Sequence, residues 1–416
     1  MYNRYALDNG IRVICEKVDG VRSVAIGIWV GAGSRYEEKE NNGVSHFLEH
    51  MLFKGTRKRS AKQIAEEIDA IGGQINAFTG KECTCFYTKT LDEHSDVAID
   101  LLYDILVNSK LAKTDIKIEK NVILEEINMY EDSPEELVHD ILTEQIWKES
   151  PLGMPILGTI DTLATIDNAC LREYISKLYI PSNIVIAIAG SFDEKKIVRK
   201  IEKKFKKLKF SEQSPPVSDA PRFCGGVSIK QKDTEQAHIC IGMNGIELGN
   251  DDNYALNLIN NVLGGGMSSI LFQKIREELG LVYSIYSYTS ANKNAGHFVI
   301  YAGMNPDQLE RVYMLIWDEL RLFKENGLDA DMLEKAKEQF KGNYLLGLEG
   351  SQSRMTVLGR SELLLGYVRT PEDIIDKVDN IRLDEANALI DKIINEKEFA
   401  VSVIGKVVDS DIFEIS

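Results

Sequence analysis

The chain has 416 residues and a formal net charge of −16, because 65 Asp and Glu outnumber 49 Lys and Arg. This length predicts two or three domains with enough apolar material for separate cores. The acidic balance argues against a nucleic-acid-binding protein, since a phosphate backbone attracts basic surfaces. It favours cationic partners instead.

The early first strand and the apolar pattern of the chain predict a cytoplasmic protein. A strand is expected from about Ile11 to Val18, which leaves no room for a signal peptide. No apolar run approaches the ~20 residues of a membrane-spanning helix. The six cysteines lack paired metal-binding spacing, as is typical of reduced thiols in a reducing compartment.

Two predicted strands recur at a fixed distance along the chain. The strand 24–28 resembles 239–243, so that Gly27 corresponds to Gly242. The strand 185–190 resembles 400–405, and the corresponding glycines, Gly190 and Gly405, are separated by the same distance in the chain as the first pair. Apolar strands could give one such match by chance, but two with equal spacing are harder to obtain by accident and indicate a duplication.

The duplication predicts two homologous domains joined by a linker. Residues 1–208 would form the first domain and residues 223–416 the second, with a Pro-, Ser- and charge-rich linker at 209–222. The expected fold class is α+β, with a mostly antiparallel sheet and packed helices in each half.

A short motif in the first half predicts a metal site. His46 and His50 are four residues apart on a predicted helix, so they share one face, and Glu49 lies along the same stripe. Two imidazoles suit Zn²⁺, and a neighbouring carboxylate suits proton transfer in zinc hydrolases. The order His-x-x-Glu-His is the inverzincin motif. The alternatives are a chance match or a pair of structural histidines.

Catalytic zinc needs a third protein ligand, and the predicted helix 114–130 supplies candidates. It carries Glu119, Glu125 and Glu126, of which Glu119 and Glu126 share a face. Spacing alone does not choose between Glu125 and Glu126. At the positions that the repeat makes equivalent to the motif, the second half has Asn261, Gly264 and Gly265, so it carries no second copy of the metal motif.

Several segments together resemble one known family. They are 43–56 around the metal motif, 72–79 (Gly-Gly-Gln-Ile-Asn-Ala-Phe-Thr), 119–127, 263–269 and 276–283. The chain resembles the pitrilysin and insulinase inverzincin metallopeptidases, most closely the mitochondrial processing peptidase branch and its bacterial relatives.

This resemblance implies roles for individual residues. The third zinc ligand would be Glu126, with Glu119 supporting the site and one Zn²⁺ bound per chain. Glu49 would be the general base. The strand at Asn76, Ala77 and Phe78 would pair with an extended peptide substrate.

The resemblance also assigns two residues of the second half. Arg276 and Tyr283 would contact substrate carbonyls near the metal, with Tyr283 stabilising the oxyanion. The ordinary alternative is that Arg276 is a helix-surface cation and Tyr283 a core aromatic residue.

Together these features predict a zinc-dependent endopeptidase that cleaves extended, unfolded or short peptides in a chamber between two clamshell domains, with a homodimer expected from the relatives. The acidic charge favours basic peptides but does not decide between specific processing and general peptide degradation. The alternative is a non-catalytic subunit or scaffold of a peptidase or respiratory-type complex. Such relatives lose motif residues, whereas His46, Glu49, His50 and Glu126 are all present.

Overall fold

The structure, a computed structural model, describes residues 2–208, 213–214, 217–406 and 411–413 of the chain. These residues belong to two units, each built on one β-sheet. The first unit comprises the described residues within 1–127, 154–218 and 347–368, and the second comprises those within 128–153, 219–346 and 369–416. Within the predicted linker, residues 209–212 and 215–216 lie outside the described residues.

The first unit contains a six-stranded sheet. Its strands are β1 (Tyr2–Ala6), β2 (Arg12–Lys17), β3 (Ser23–Val30), β4 (Gln74–Thr79), β5 (Thr84–Leu91) and β6 (Ile184–Gly190). They lie in the order β1-β2-β6-β3-β5-β4, and only β2 and β6 run parallel. Strand β4 is therefore at one edge of the sheet.

The N-terminal half of the chain supplies eight helices among its described residues. They are α1 (Val44–Leu52), α2 (Ala61–Asp69), α3 (Ser95–Asn108), α4 (Lys113–Glu131), α5 (Pro134–Ile146), α6 (Ile160–Thr165), α7 (Asn168–Leu178) and α8 (Glu194–Phe205). Pro134 occupies the first turn of α5, where its missing N–H leaves no hydrogen bond unmade.

The second unit contains a five-stranded sheet. Its strands are β7 (Gly226–Gln231), β8 (Ala237–Asn244), β9 (Val282–Asn292), β10 (Ala295–Met304) and β11 (Phe399–Gly405), in the order β7-β11-β8-β10-β9. The C-terminal helices are α9 (Asp252–Leu263), α10 (Leu309–Asn326), α11 (Ala330–Gly347), α12 (Ser351–Leu364), α13 (Pro371–Asp379) and α14 (Leu383–Ile393), with a π-helical segment at Phe272–Glu278. Within the described ranges, no helix is long and apolar enough to cross a membrane.

The two halves repeat each other in structure as well as in sequence. Strands β6 and β11 are separated by a fixed number of residues along the chain, whether their first or their last residues are compared. Helices α7 and α14 are separated by the same number of residues, again at both ends. This distance is also the one that relates Gly27 to Gly242. The predicted α+β class, with a mostly antiparallel sheet and helices in each half, is confirmed.

Each unit also includes one helix from the other half of the chain. Helix α5 belongs to the second unit, where Ser402 on β11 donates a hydrogen bond to the Val138 carbonyl (2.7 Å). Helix α12 belongs to the first unit, where the Trp29 indole donates to the Met355 sulfur (3.4 Å). The units therefore differ from the continuous halves 1–208 and 223–416 at these two exchanged segments.

The exchange follows from the apolarity of the central strands. Every residue of β6 is buried, as are six of the seven residues of β11. Strands that are buried on both faces need cover on both sides of the sheet. The exchanged helices provide part of that cover.

Candidate metal centre

Helix α1 carries the predicted metal motif on the edge of the first unit's core. Val44, Phe47, Leu48 and Met51 are fully buried and fix the orientation of the helix. His46 is buried and His50 half-buried, one turn further along. Their rings lie 4.6 Å apart between centroids.

Helix α4 brings Glu126 to both histidines. Its Oε2 lies 3.7 Å from Nε2 of His46 and 3.7 Å from Nε2 of His50. The ligand atoms of the three residues all lie within 4.8 Å of one another. In the described part of the chain, this is the one group of three or more His, Cys, Asp or Glu that is close enough to hold a metal ion.

The donor set fits zinc. Bonds of 2.0–2.2 Å in a tetrahedral site place neighbouring ligand atoms about 3.4 Å apart, close to the distances observed. Two imidazoles and one carboxylate also leave a fourth position open, as in catalytic zinc sites. Burial, with a smaller electrostatic contribution from the neighbouring His50, lowers the pKa of His46 to about 3, so His46 is neutral near pH 7, which is the form that binds metal.

Glu119 orients one of the two histidines. Its Oε2 lies 3.1 Å from Nδ1 of His50, and its side chain is only 1% exposed. Because an ionised carboxylate only accepts, Nδ1 carries the proton and Nε2 is left free as a ligand atom. Lys54 Nζ lies 2.6 Å from the other Glu119 oxygen and balances its charge.

Glu49 lies beside these residues but outside the group of three. Its Oε2 accepts a hydrogen bond from the Thr79 hydroxyl at the end of β4. Burial raises the pKa of Glu49, an effect that Thr79 and His50 oppose and Glu126 reinforces. A half-buried carboxylate with a raised pKa is a better proton acceptor than an ordinary surface glutamate.

The predicted peptide-binding residues lie on the edge strand β4. Asn76 and Phe78 are exposed, and Ala77 between them is half-buried. Among the described strands, β4 pairs with β5 alone, so its other edge has no strand partner there. The Phe78 ring packs edge-on against Trp29 with centroids 5.4 Å apart.

Arg276 and Tyr283 belong to the second unit. The Arg276 guanidinium lies over the Phe272 ring, 4.6 Å from its centroid. Tyr283 on β9 is 75% exposed, so the alternative of a core aromatic residue is wrong.

Sequence reasoning assigned no role to three residues of this region. Thr79 and Lys54 both stood inside the quoted motifs, and their contacts depend on tertiary structure. Glu37 had no motif signal at all, although it is buried and contacts the start of α1.

Comparison with known proteins decides the family. Residues 12–160 match the insulinase model, peptidase family M16, and residues 165–340 match the model called the peptidase M16 inactive domain. The chain belongs to the insulinase family, M16. The name of the second model agrees with the absence of the metal motif from the second half.

Relatives match over nearly the whole chain. The protein named zinc protease YmxG of Bacillus subtilis is 44% identical, over 97% of this chain and 98% of its own length. A Streptomyces coelicolor protein, also named a zinc protease, is 40% identical over 98% of this chain and 90% of its own length. The match is to the M16 family as a whole, so the processing-peptidase branch stays a prediction.

Solved structures share the fold. A protease from Helicobacter pylori has a TM-score of 0.91 at 19% identity and covers 97% of this chain, with 99% of its own chain matched. A Pseudomonas fluorescens structure titled a peptidase M16 inactive domain gives the same TM-score and identity, with 98% of each chain matched.

Proposed function

We propose that this chain is a zinc-dependent endopeptidase in which His46, His50 and Glu126 hold one Zn²⁺. The observation that carries the proposal is the convergence of these three side chains, with ligand atoms within 4.8 Å of one another. The names of the M16 relatives as zinc proteases support it. Zinc bound there would supply Lewis acidity, which polarises the scissile carbonyl and lowers the pKa of water.

Three residues near the proposed ligands have separate roles in proton transfer and positioning. The Glu49 carboxylate accepts the proton of the attacking water and passes it to the leaving amine. Thr79 holds Glu49 in position by its hydrogen bond. Glu119 holds the His50 ring so that Nε2 faces Glu126.

The edge strand supplies a route for substrate. An extended peptide that pairs with β4 gains backbone hydrogen bonds, which give affinity with little demand on sequence. Asn76, Ala77 and Phe78 would then contact the substrate. Because Thr79 ends the same strand and bonds Glu49, the paired peptide would lead toward the general base.

The second half completes the proposed enzyme. Arg276 and the exposed Tyr283 would contact substrate carbonyls, and Tyr283 would stabilise the oxyanion. Unfolded or short peptides are the expected substrates, because only an extended backbone can pair with a strand edge. We further propose a cytoplasmic homodimer in which the domains close as a clamshell, and a preference for basic peptides that follows from the acidic charge.

A digestion of unstructured peptides tests the proposal. The purified chain is incubated with a peptide mixture that includes Arg-rich members, with and without a zinc chelator, and the products are identified by mass spectrometry. Internal cuts that disappear with chelator and return with added Zn²⁺ are expected. A zinc-loaded sample that makes no cuts would overturn the peptidase proposal and favour the non-catalytic alternative.

A further inference from the structure

The proposed ligands and their neighbours do not explain what holds the N-terminus of α1, the helix that carries both histidines. Gly43 occupies the N-cap position with a φ of +94°, in the left-handed region. A Cβ there would lie 2.6 Å from the Leu157 carbonyl oxygen. Both facts favour glycine, so the helix cannot be capped by a side chain at its own N-cap.

Glu37 provides the missing cap from outside the helix. Its Oε2 accepts from the backbone N–H of Gly43 (2.7 Å), and its Oε1 accepts from the backbone N–H of Ser45 (2.8 Å). The first N–H groups of a helix have no partner within the helix, and leaving them unpaired in the interior is costly. The carboxylate also lies at the positive end of the helix dipole.

The cap is itself held in place. Asn42 Nδ2 donates to Glu37 Oε2 (2.8 Å) and to the Pro155 carbonyl (2.9 Å). Glu37 is only 4% exposed, so little water competes for its oxygens. Burial raises the pKa of Glu37, and the hydrogen bonds from Ser45, Gly43 and Asn42 oppose that shift.

This cap lies directly next to a metal ligand. Ser45 donates its backbone N–H to Glu37 and immediately precedes His46 in the first turn of α1. A change in the position or rotation of that turn therefore moves the His46 ring relative to Glu126. We infer that Glu37 is a positioning residue for the zinc site, which acts by fixing the first turn of α1. The inference rests on the proposed zinc site.

The test compares zinc affinities of folded variants. In Glu37→Gln, one oxygen becomes an NH₂ group that cannot accept from a backbone N–H, while size and shape are kept. Outer partners of metal ligands typically contribute 10–100-fold in affinity. We expect Glu37→Gln to raise the zinc Kd about tenfold in competition with a chromophoric chelator. Amide exchange of residues 44–52 should also become faster.

A second capping carboxylate offers a matched control. Asp193 caps α8 by accepting from the Lys196 N–H (3.1 Å), so Asp193→Asn makes the same chemical change at a helix without ligands. The zinc Kd of the Asp193→Asn variant should equal that of the wild type. Asn42→Ala provides a milder variant, since it removes the donor that holds Glu37 and leaves Glu37 in place.

The outcomes separate the inference from the proposed function. A folded Glu37→Gln variant with the wild-type zinc Kd would overturn the inference alone. If Glu37→Gln does not fold, Asn42→Ala decides: a higher Kd supports the cap, and an unchanged Kd overturns it. A wild-type chain that binds no zinc would overturn the proposed metal site, and the inference with it.

Discussion

Two glutamates next to the same histidines have surroundings that suit different tasks. Glu126 has an oxygen 3.7 Å from a ring nitrogen of each histidine, which is the arrangement of a third ligand. Glu49 accepts from Thr79, and burial raises its pKa, which is the arrangement of a proton acceptor. Because both residues are glutamates, their different surroundings arise from their positions on α1 and α4.

The role of Glu49 predicts a separation of binding from catalysis. Glu49→Gln keeps the shape and the Thr79 contact but removes the basic oxygen. Peptide hydrolysis should fall by about 10²–10⁴-fold, the usual contribution of a general base, while zinc content stays at the wild-type level. Metal analysis and a peptide-cleavage assay on one preparation measure both. A variant that cuts peptides at the wild-type rate would contradict the assignment.

The role of Glu119 predicts that its substitution, unlike that of Glu49, weakens zinc binding itself. Glu119→Gln leaves the ligands in place but weakens the hold on His50 and leaves Lys54 without its carboxylate. Zinc affinity should fall by about 10–100-fold, as for other outer partners of a ligand. A competition titration of the folded protein checks this. An unchanged affinity would show that His50 is oriented by other contacts.

The sequence left one residue choice open, and the structure shows why. The buried face of α4 carries Ile116, Ile123 and Ile127, and Glu126 lies next to that face. Glu125 lies with Ile118, Val122 and Met129, which are all exposed. Because both faces of α4 are rich in apolar residues, hydrophobic periodicity could not identify the inner one.

At the scale of elements, the sequence predicted strands and helices well where the pattern was strong. The helix expected at 114–130 is α4, Lys113–Glu131, and the strand expected at 185–190 is β6, Ile184–Gly190. The exchange of α5 and α12 was not predicted. An apolar run indicates that both faces of a strand are buried, but it does not indicate which helix covers them.

Helix α12 packs closely because glycine stands at its contact with the sheet. A Cβ at Gly359 would lie 2.0 Å from Trp29 Nε1, so Gly359→Ala forces the helix or the indole to move. We expect a loss of about 1–3 kcal/mol in the free energy of unfolding, as for other overpacked cores. Urea or thermal unfolding measures the change.

Gly342 provides the control for that substitution. It lies inside α11, and a Cβ there would meet no atom within 4 Å. Gly342→Ala should stabilise the chain by about 0.5–1 kcal/mol through helix propensity alone. Equal effects of the two substitutions would show that α12 does not depend on close packing at Gly359.

At the scale of the whole molecule, the two halves combine a repeated architecture with the presence of the metal motif in the first half alone. Elements β6 and α7 recur as β11 and α14 at one spacing along the chain, and at that same spacing from the metal motif the second half has Asn261, Gly264 and Gly265. Composition and repeats could predict this organisation from the sequence. Roles that depend on both halves, such as those of Arg276 and Tyr283, could come only from family resemblance and remain proposals.

The proposed role of the second half is tested at Tyr283. Tyr283→Phe removes only the hydroxyl, so turnover should fall by up to about a hundredfold with zinc content unchanged, as when an oxyanion donor is lost. Tyr5→Phe is the control, because its hydroxyl bonds Glu194 at the surface of the first unit. A wild-type turnover in Tyr283→Phe would remove its assigned role.

His46, His50 and Glu126 are proposed to bind one zinc ion, and a zinc titration of the metal-free chain measures this binding. The neighbouring glutamates form a matched pair, since Glu126 faces the histidines and Glu125 is exposed. We predict one Zn²⁺ per wild-type chain, an unchanged affinity in Glu125→Gln, and a loss in Glu126→Gln larger than the 10–100-fold effect of an outer partner. No stoichiometric binding, or equal affinities in the two variants, would contradict the proposed zinc site.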